Sequence, residues 1–236
     1  AGTLQLVKVA LDAAETQALL QQVPEVYHTE INDVLLTALV QAFAGWTGAP
    51  RLLVGLEGHG REELFGDVDV SRTVGWFTSL FPVLLDVENA SDPGGALKRV
   101  KEQLRAVPQR GVGYGMLRYL GGGDVPAPDV EVSFNYLGQL DGAAGGQAFG
   151  FAPEDVGREQ HAANRRPHLI DVSAHVGKGG LQMQWAYSVA CHDGSTIKAL
   201  AESFAFRLRQ LIAHCDTSEG SFTLSDFPLL QNTLSI

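Results

Sequence analysis

The chain has 236 residues, 45% of them hydrophobic and 19% charged, enough apolar material for one substantial core under an ordinary polar surface. A formal charge of -10, from 17 basic and 27 acidic residues, excludes a nucleic-acid surface, which needs clustered Lys and Arg against phosphate. The two cysteines, Cys191 and Cys215, suggest neither a disulfide framework nor a zinc site, no apolar run reaches the about 18 residues of a membrane span, and a reducing cytoplasm is the expected setting.

"TLQLVKVAL" at the start is a strand, and "DAAETQALLQQV" after it a helix that Asp12 can cap. The next helix has the strongest period. In "TEINDVLLTALVQAFAGW", Ile31, Val34, Leu35, Ala38, Leu39, Ala42, Phe43 and Trp46 share one face, and Thr29 stands where a cap belongs. "APRLLVGLEG" is a continuous apolar run, as a buried strand requires. A polar loop, "HGREELFGDVDVSRTVGW", leads from it to a further strand, "FTSLFPVLLDV".

"SDPGGALKRVKEQLRAV" is a helix with Asp92 as cap, Pro93 in the first turn, and Leu97, Val100, Leu104 and Val107 as its buried stripe. "QRGVGYGMLRYLGGG" is a short helical piece between glycines. In "DVEVSFNYLGQ" the alternation sets Val130, Val132, Phe134 and Tyr136 on one face and Glu131, Ser133 and Asn135 on the other. "HLIDVSAHV", "GKGG" and "LQMQWAYSV" form a hairpin. A last helix, "STIKALAESFAFRLRQLIAHC", turns Ile197, Leu200, Phe204, Leu208 and Leu211 inward. Residues 121–129 and 141–150 are short glycine-rich surface loops. This order lacks the regular alternation of a doubly wound sheet or barrel and predicts a mixed α+β domain.

The local chemistry is sparse. "GHGRE" lacks both the Walker spacing with its Lys and a G-x-G-x-x-G opening a helix; there is no H-E-x-x-H among the seven histidines and no G-x-S-x-G elbow. What remains is Glu57 at the end of an apolar strand, between Gly55 and Gly58, where burial would suit a carboxyl to acid or base work. His59 and Arg61 are near enough in sequence to orient or compensate it. Composition alone makes a polar turn with a surface Glu–Arg pair the commoner reading. Trp76 and Phe77 read as core aromatics, and Tyr114 between Gly113 and Gly115 as a loop anchor with unusual backbone angles. Asn135, polar in an apolar strand, needs partners or faces a cavity.

Taken together, "NDVLLTAL" (32–39), "EGHGRE" (57–62), "RTVGWFTSLFPV" (72–83), "PQRGVGYG" (108–115) and "FNYLGQ" (134–139) resemble, in order, the signature motifs of epimerization domains of nonribosomal peptide synthetases, within the condensation-domain superfamily. "LSDFPLL" (224–230) resembles the end of such domains. The resemblance implies one lobe of a chloramphenicol acetyltransferase-like fold, whose two lobes form a V around a tunnel. The HHxxxDG histidine motif of the N-terminal lobe is absent, so residues 1–236 are expected to be a C-terminal lobe that is inactive alone.

The implied reaction converts an L-aminoacyl or L-peptidyl thioester to the D-form. No cofactor is bound by the chain itself; the substrate rides on the 4'-phosphopantetheine of a carrier domain. The implied partners are the N-terminal lobe, a peptidyl carrier domain and neighbouring synthetase modules, with no nucleic acid and no membrane. Carried onto these residues, the resemblance makes Glu57 an acid or base and Asn135 and Tyr136 groups that position the thioester. His59, Arg61, Trp76 and Tyr114 would line the substrate tunnel. Alternation allows only one of Asn135 and Tyr136 to face that tunnel unless a bulge intervenes. The competing readings are a non-catalytic lobe that docks carrier or neighbouring domains, and a fragment of a peptide-bond-forming condensation domain.

Overall fold

The computed structural model describes residues 2–88, 92–122, 125, 127–140, 154, 157, 161, 164–177, 179–227 and 229. The glycine-rich stretch 141–150 lies outside these. Six strands form one mixed sheet: β1 (Leu4–Ala10), β2 (Arg51–Gly58), β3 (Ser79–Asp86), β4 (Val132–Gln139), β5 (Ile170–Gly177) and β6 (Gly180–Ser188), in the order β1-β6-β5-β4-β2-β3. β4 runs parallel to both β2 and β5, and the other pairings are antiparallel. The α+β expectation holds.

The first expected helix is broken up. α1 (Ala13–Gln17) starts on a reciprocal cap, in which Asp12 Oδ1 accepts from the Glu15 N–H at 2.8 Å and a Glu15 carboxylate oxygen accepts from the Asp12 N–H at 3.0 Å. The backbone then widens to a π-type turn over Ala18–Gln22 and resumes as α2 (Val23–Tyr27). Pro24 explains the break, because its ring cannot donate to, and crowds, the carbonyl four residues back.

α3 (Ile31–Thr47) is capped at Glu30, not at Thr29. The reason is Asp33, buried in the first turn, whose Oδ2 accepts from the Glu30 N–H at 2.7 Å. The same carboxylate is held by two bonds from Arg105, at 3.0 and 2.8 Å. The helix ends at Gly48, in the left-handed region that a C-terminal cap requires. Trp46 departs from the expected buried stripe and is 44% exposed. It lies beyond the reach of the core and packs edge-on against Phe43 and His192.

α4 (Pro93–Arg105) begins at Asp92, as expected, and buries Leu97 and Val100; Leu104 and Val107 are only half-buried, Val107 standing past the helix end. α5 (Val112–Leu120) follows a tight turn in which Gln109, Arg110 and Gly111 all take positive φ. Gly113 and Gly115 are ordinary helical residues, so Tyr114 is no loop anchor. The unusual angles fall at Gly111, where a Cβ would come within 2.2 Å of the Phe81 ring. α6 (Gly194–Thr217), capped by Asp193, turns Ile197, Leu200, Phe204, Leu208 and Leu211 inward as the period requires.

One sheet face carries the core. Val54, Leu56, Val83, Leu85, Val132, Phe134, Val172, Met183 and Trp185 are buried there beneath α3 and α6. Trp185 stacks on Phe43 of α3 at 6.1 Å and meets Phe204 of α6 edge-on at 5.7 Å. The alternate residues of every strand face the opposite side, where no described helix covers the centre of the sheet.

Candidate functional site

The parallel pairing of β2 with β4 sets Leu56 beside Phe134 on the core side. The next residue of each strand, Glu57 and Asn135, therefore projects from the open face at neighbouring positions. Asn135 Nδ2 donates to Glu57 Oε2 at 2.7 Å. An amide has a second N–H, so Asn135 can hold the carboxylate and still offer a donor to a ligand. Glu57 itself is exposed, contrary to the expected burial, because alternation puts it on the face that no helix covers.

Tyr136 is set apart from this pair. It projects to the core side, half-buried, and burial raises its hydroxyl above its ordinary pKa. The ladder stays regular through Tyr136 and shifts only between it and Gln139, where Gly138 takes a φ of +79°. The alternation thus sets Tyr136 on the opposite face of the sheet from Glu57 and Asn135.

His59 and Arg61 do not reach Glu57 either. His59 Nδ1 accepts from the Arg61 backbone N–H at 2.9 Å, and its Nε2 lies 3.1 Å from Glu62 Oε1. The Arg61 guanidinium stacks 4.4 Å over the Phe77 ring and donates to the carbonyls of Val70 and Gly75, the latter at 3.2 Å. Arg61 is therefore a clamp on the loop after β2. Gly60 is required there: its φ is +67°, and a Cβ would come within 1.6 Å of the Phe77 carbonyl oxygen.

The clamped loop holds Val74 and Trp76 out from the fold, 100% and 91% exposed, so Trp76 is not a core aromatic. Tyr114 stands on α5 and lines a cavity of about 560 Å³ against β3 with Phe81, Pro82, Leu84, Val107 and Leu117. Among the described residues no group of His, Cys, Asp or Glu has the arrangement of a metal site.

A feature missed in the sequence lies beside the pair on the open face. Ser133 donates to Asp171 Oδ1 at 2.6 Å, and Arg166 bridges Asp171 Oδ2, at 2.5 Å, and the Ala186 carbonyl, at 2.8 Å. The only sequence signal for this network was the polar side of the β4 alternation.

The Condensation domain family matches residues 3–227. The chain belongs to that family. Condensation-family relatives include a linear gramicidin synthase of Brevibacillus parabrevis, 46% identical over 235 residues that make up 97% of this chain and 5% of the relative. Surfactin synthase subunit 1 of Bacillus subtilis (strain 168) is 42% identical over 226 residues, 91% of this chain and 6% of that protein. Among solved structures, the epimerization domain from the third module of tyrocidine synthetase B superposes with a TM-score of 0.83 at 39% identity, covering 91% of this chain and 49% of that one. The condensation domain of a monacolin K polyketide synthase shares the fold at a TM-score of 0.65 and 17% identity. This condensation-family chain thus spans about half of the solved domains and a small fraction of the synthetases it matches.

Proposed function

We propose that this chain is the C-terminal lobe of an epimerization domain, inverting the α-carbon of an aminoacyl or peptidyl thioester carried on a phosphopantetheinyl arm. The observation that supports the reading best is the Glu57–Asn135 bond of 2.7 Å on the uncovered sheet face. The likeness to a tyrocidine synthetase epimerization domain, at 39% identity, supports the choice of reaction within the family.

In this reading the Glu57 carboxylate takes the α-proton, and the electron pair of the broken C–H bond passes into the thioester carbonyl as an enolate. An acid on the preceding lobe returns a proton to the opposite face; water then takes the proton from Glu57 and restores one to that acid. Asn135 positions the carboxylate by one N–H and directs the other at the enolate oxygen. Trp76 would stand towards the preceding lobe, where an exposed aromatic can close the tunnel, and Tyr114 would shape the wall beyond β3.

The test uses a carrier-bound aminoacyl thioester in deuterated water with this chain, with the preceding lobe, and with both. Deuterium should enter the α-carbon only with both, and Glu57→Gln should lower exchange by about 10²- to 10⁴-fold without unfolding the lobe. Exchange that survives Glu57→Gln sinks the assignment. A new peptide bond in place of exchange would favour the condensation reading, and carrier binding without either reaction a scaffold.

A further inference from the structure

The Glu57–Asn135 pair stands at one end of a polar line across the open face. Asn135 is in register with Ser173 on β5, and Ser173 with Gln184 on β6. In-register residues on neighbouring strands share a face at about 4.8 Å spacing. Glu57, Asn135, Ser173 and Gln184 therefore form a row perpendicular to the strands, about 14 Å long over its three spacings.

The row beside it is closed on itself by the bonds among Ser133, Asp171, Arg166 and the Ala186 carbonyl. Ser173 and Gln184 differ. Both are half-buried, and among the described residues no side-chain hydrogen bond engages either one. Their side-chain polar atoms thus stand open to a ligand on the uncovered face. Both are neutral, and each offers a donor and an acceptor, which matches a secondary amide, while the row's next residue, Lys8 of β1, is exposed beyond Gln184.

We propose that Ser173 and Gln184 form an amide-binding extension of the site, holding a secondary amide of the substrate chain while Glu57 acts on the α-carbon. The proposal rests on the epimerization reading above. Ser173 lies two strand spacings from Glu57, about 10 Å, whereas one extended residue covers only about 3.5 Å. The amide held there belongs to a group some residue-lengths from the reacting carbon. A preceding peptide bond and an amide of the phosphopantetheine arm both have that chemistry.

The experiment measures KM and kcat for α-proton exchange by the complete domain, with Ser173→Ala, Gln184→Leu and the double variant. Three substrates are compared: an aminoacyl carrier, a pentapeptidyl carrier, and the same pentapeptide as an ethyl thioester, which has none of the arm's amides. The double variant should raise KM for the pentapeptidyl carrier about 10-fold and leave kcat within about twofold, while Ser173→Thr, which keeps the hydroxyl, holds KM near its starting value. If the peptide bond is the amide held, the pentapeptidyl ethyl thioester shows the same rise and the aminoacyl carrier does not. If the arm is held, the pattern reverses. Unchanged KM for all three substrates, with Glu57→Gln still inactive, overturns the extension alone; exchange that survives Glu57→Gln overturns the reading beneath it.

Discussion

Lys101 shows how much a single residue does here. Its Nζ, 1% exposed, donates to the Tyr27 carbonyl at 2.9 Å and to Asp226 Oδ1 at 2.6 Å, tying α4 to the end of α2 and to the turn at Leu224–Asp226. Removing one partner of a buried ion pair strands the other, so Lys101→Met should cost about 3 kcal/mol in urea unfolding. The two thiols make a second test at this scale. Cys191 is exposed, whereas burial pushes the Cys215 thiol up to about 11. A disulfide reagent at pH 8 should label Cys191 at once and Cys215 only on unfolding. The Lys101 pairing was not legible locally: Lys101 falls on the apolar stripe, four residues after Leu97, and only the fold brings Asp226 to it.

At the scale of elements, periodicity was a sound guide wherever a segment faces the core along its whole length. α6 turns in the residues its spacing requires, and Phe204, wholly buried against Trp185, should cost about 4 kcal/mol as Phe204→Ala. Periodicity failed where an element outruns its neighbours. Trp46 continues the α3 stripe but borders a cavity of about 340 Å³ at the starts of β2, β4 and β5, where no described residue fills the space beneath it. The Thr29 cap was displaced because Arg105, distant in sequence, holds Asp33 where it can serve the Glu30 N–H. The loop after β2 is an element in its own right, built on Gly60 and Arg61. Gly60→Ala should dislodge it at a cost of at least about 2 kcal/mol and expose residues 62–77 to protease, with the sheet intact.

Over the whole molecule, acid should act first on the C-terminal turn. Burial alone would raise Asp226 and Glu102, but bonds from Lys101 and Thr223 to Asp226, and from Ser225 and Thr223 to Glu102, leave both carboxyls below their ordinary values. Each therefore stabilises the fold above its unfolded pKa, near pH 4, and that stability is lost as pH falls through the lowered folded value. Asp33 runs the other way, burial raising it despite Arg105, so its contribution fades as pH rises through that raised value. Hydrogen exchange should show residues 223–227 opening below about pH 4 while β4, β5 and β6 stay protected.

The sequence by itself determined the α+β class, most elements, the inward faces of α4 and α6, and the opposed directions of Asn135 and Tyr136, because these follow from periods of 3.6 and 2 along the chain. Its ordered motifs also pointed to the condensation family, which matches residues 3–227. Only the tertiary structure decided which of the marked residues meet. Asn135 reaches Glu57 because β2 and β4 run parallel as neighbours, although 78 residues separate them. His59 and Arg61, two and four positions from Glu57, turn away to clamp their own loop. Nearness in sequence sets which side chains could touch, but strand order and register set which ones do.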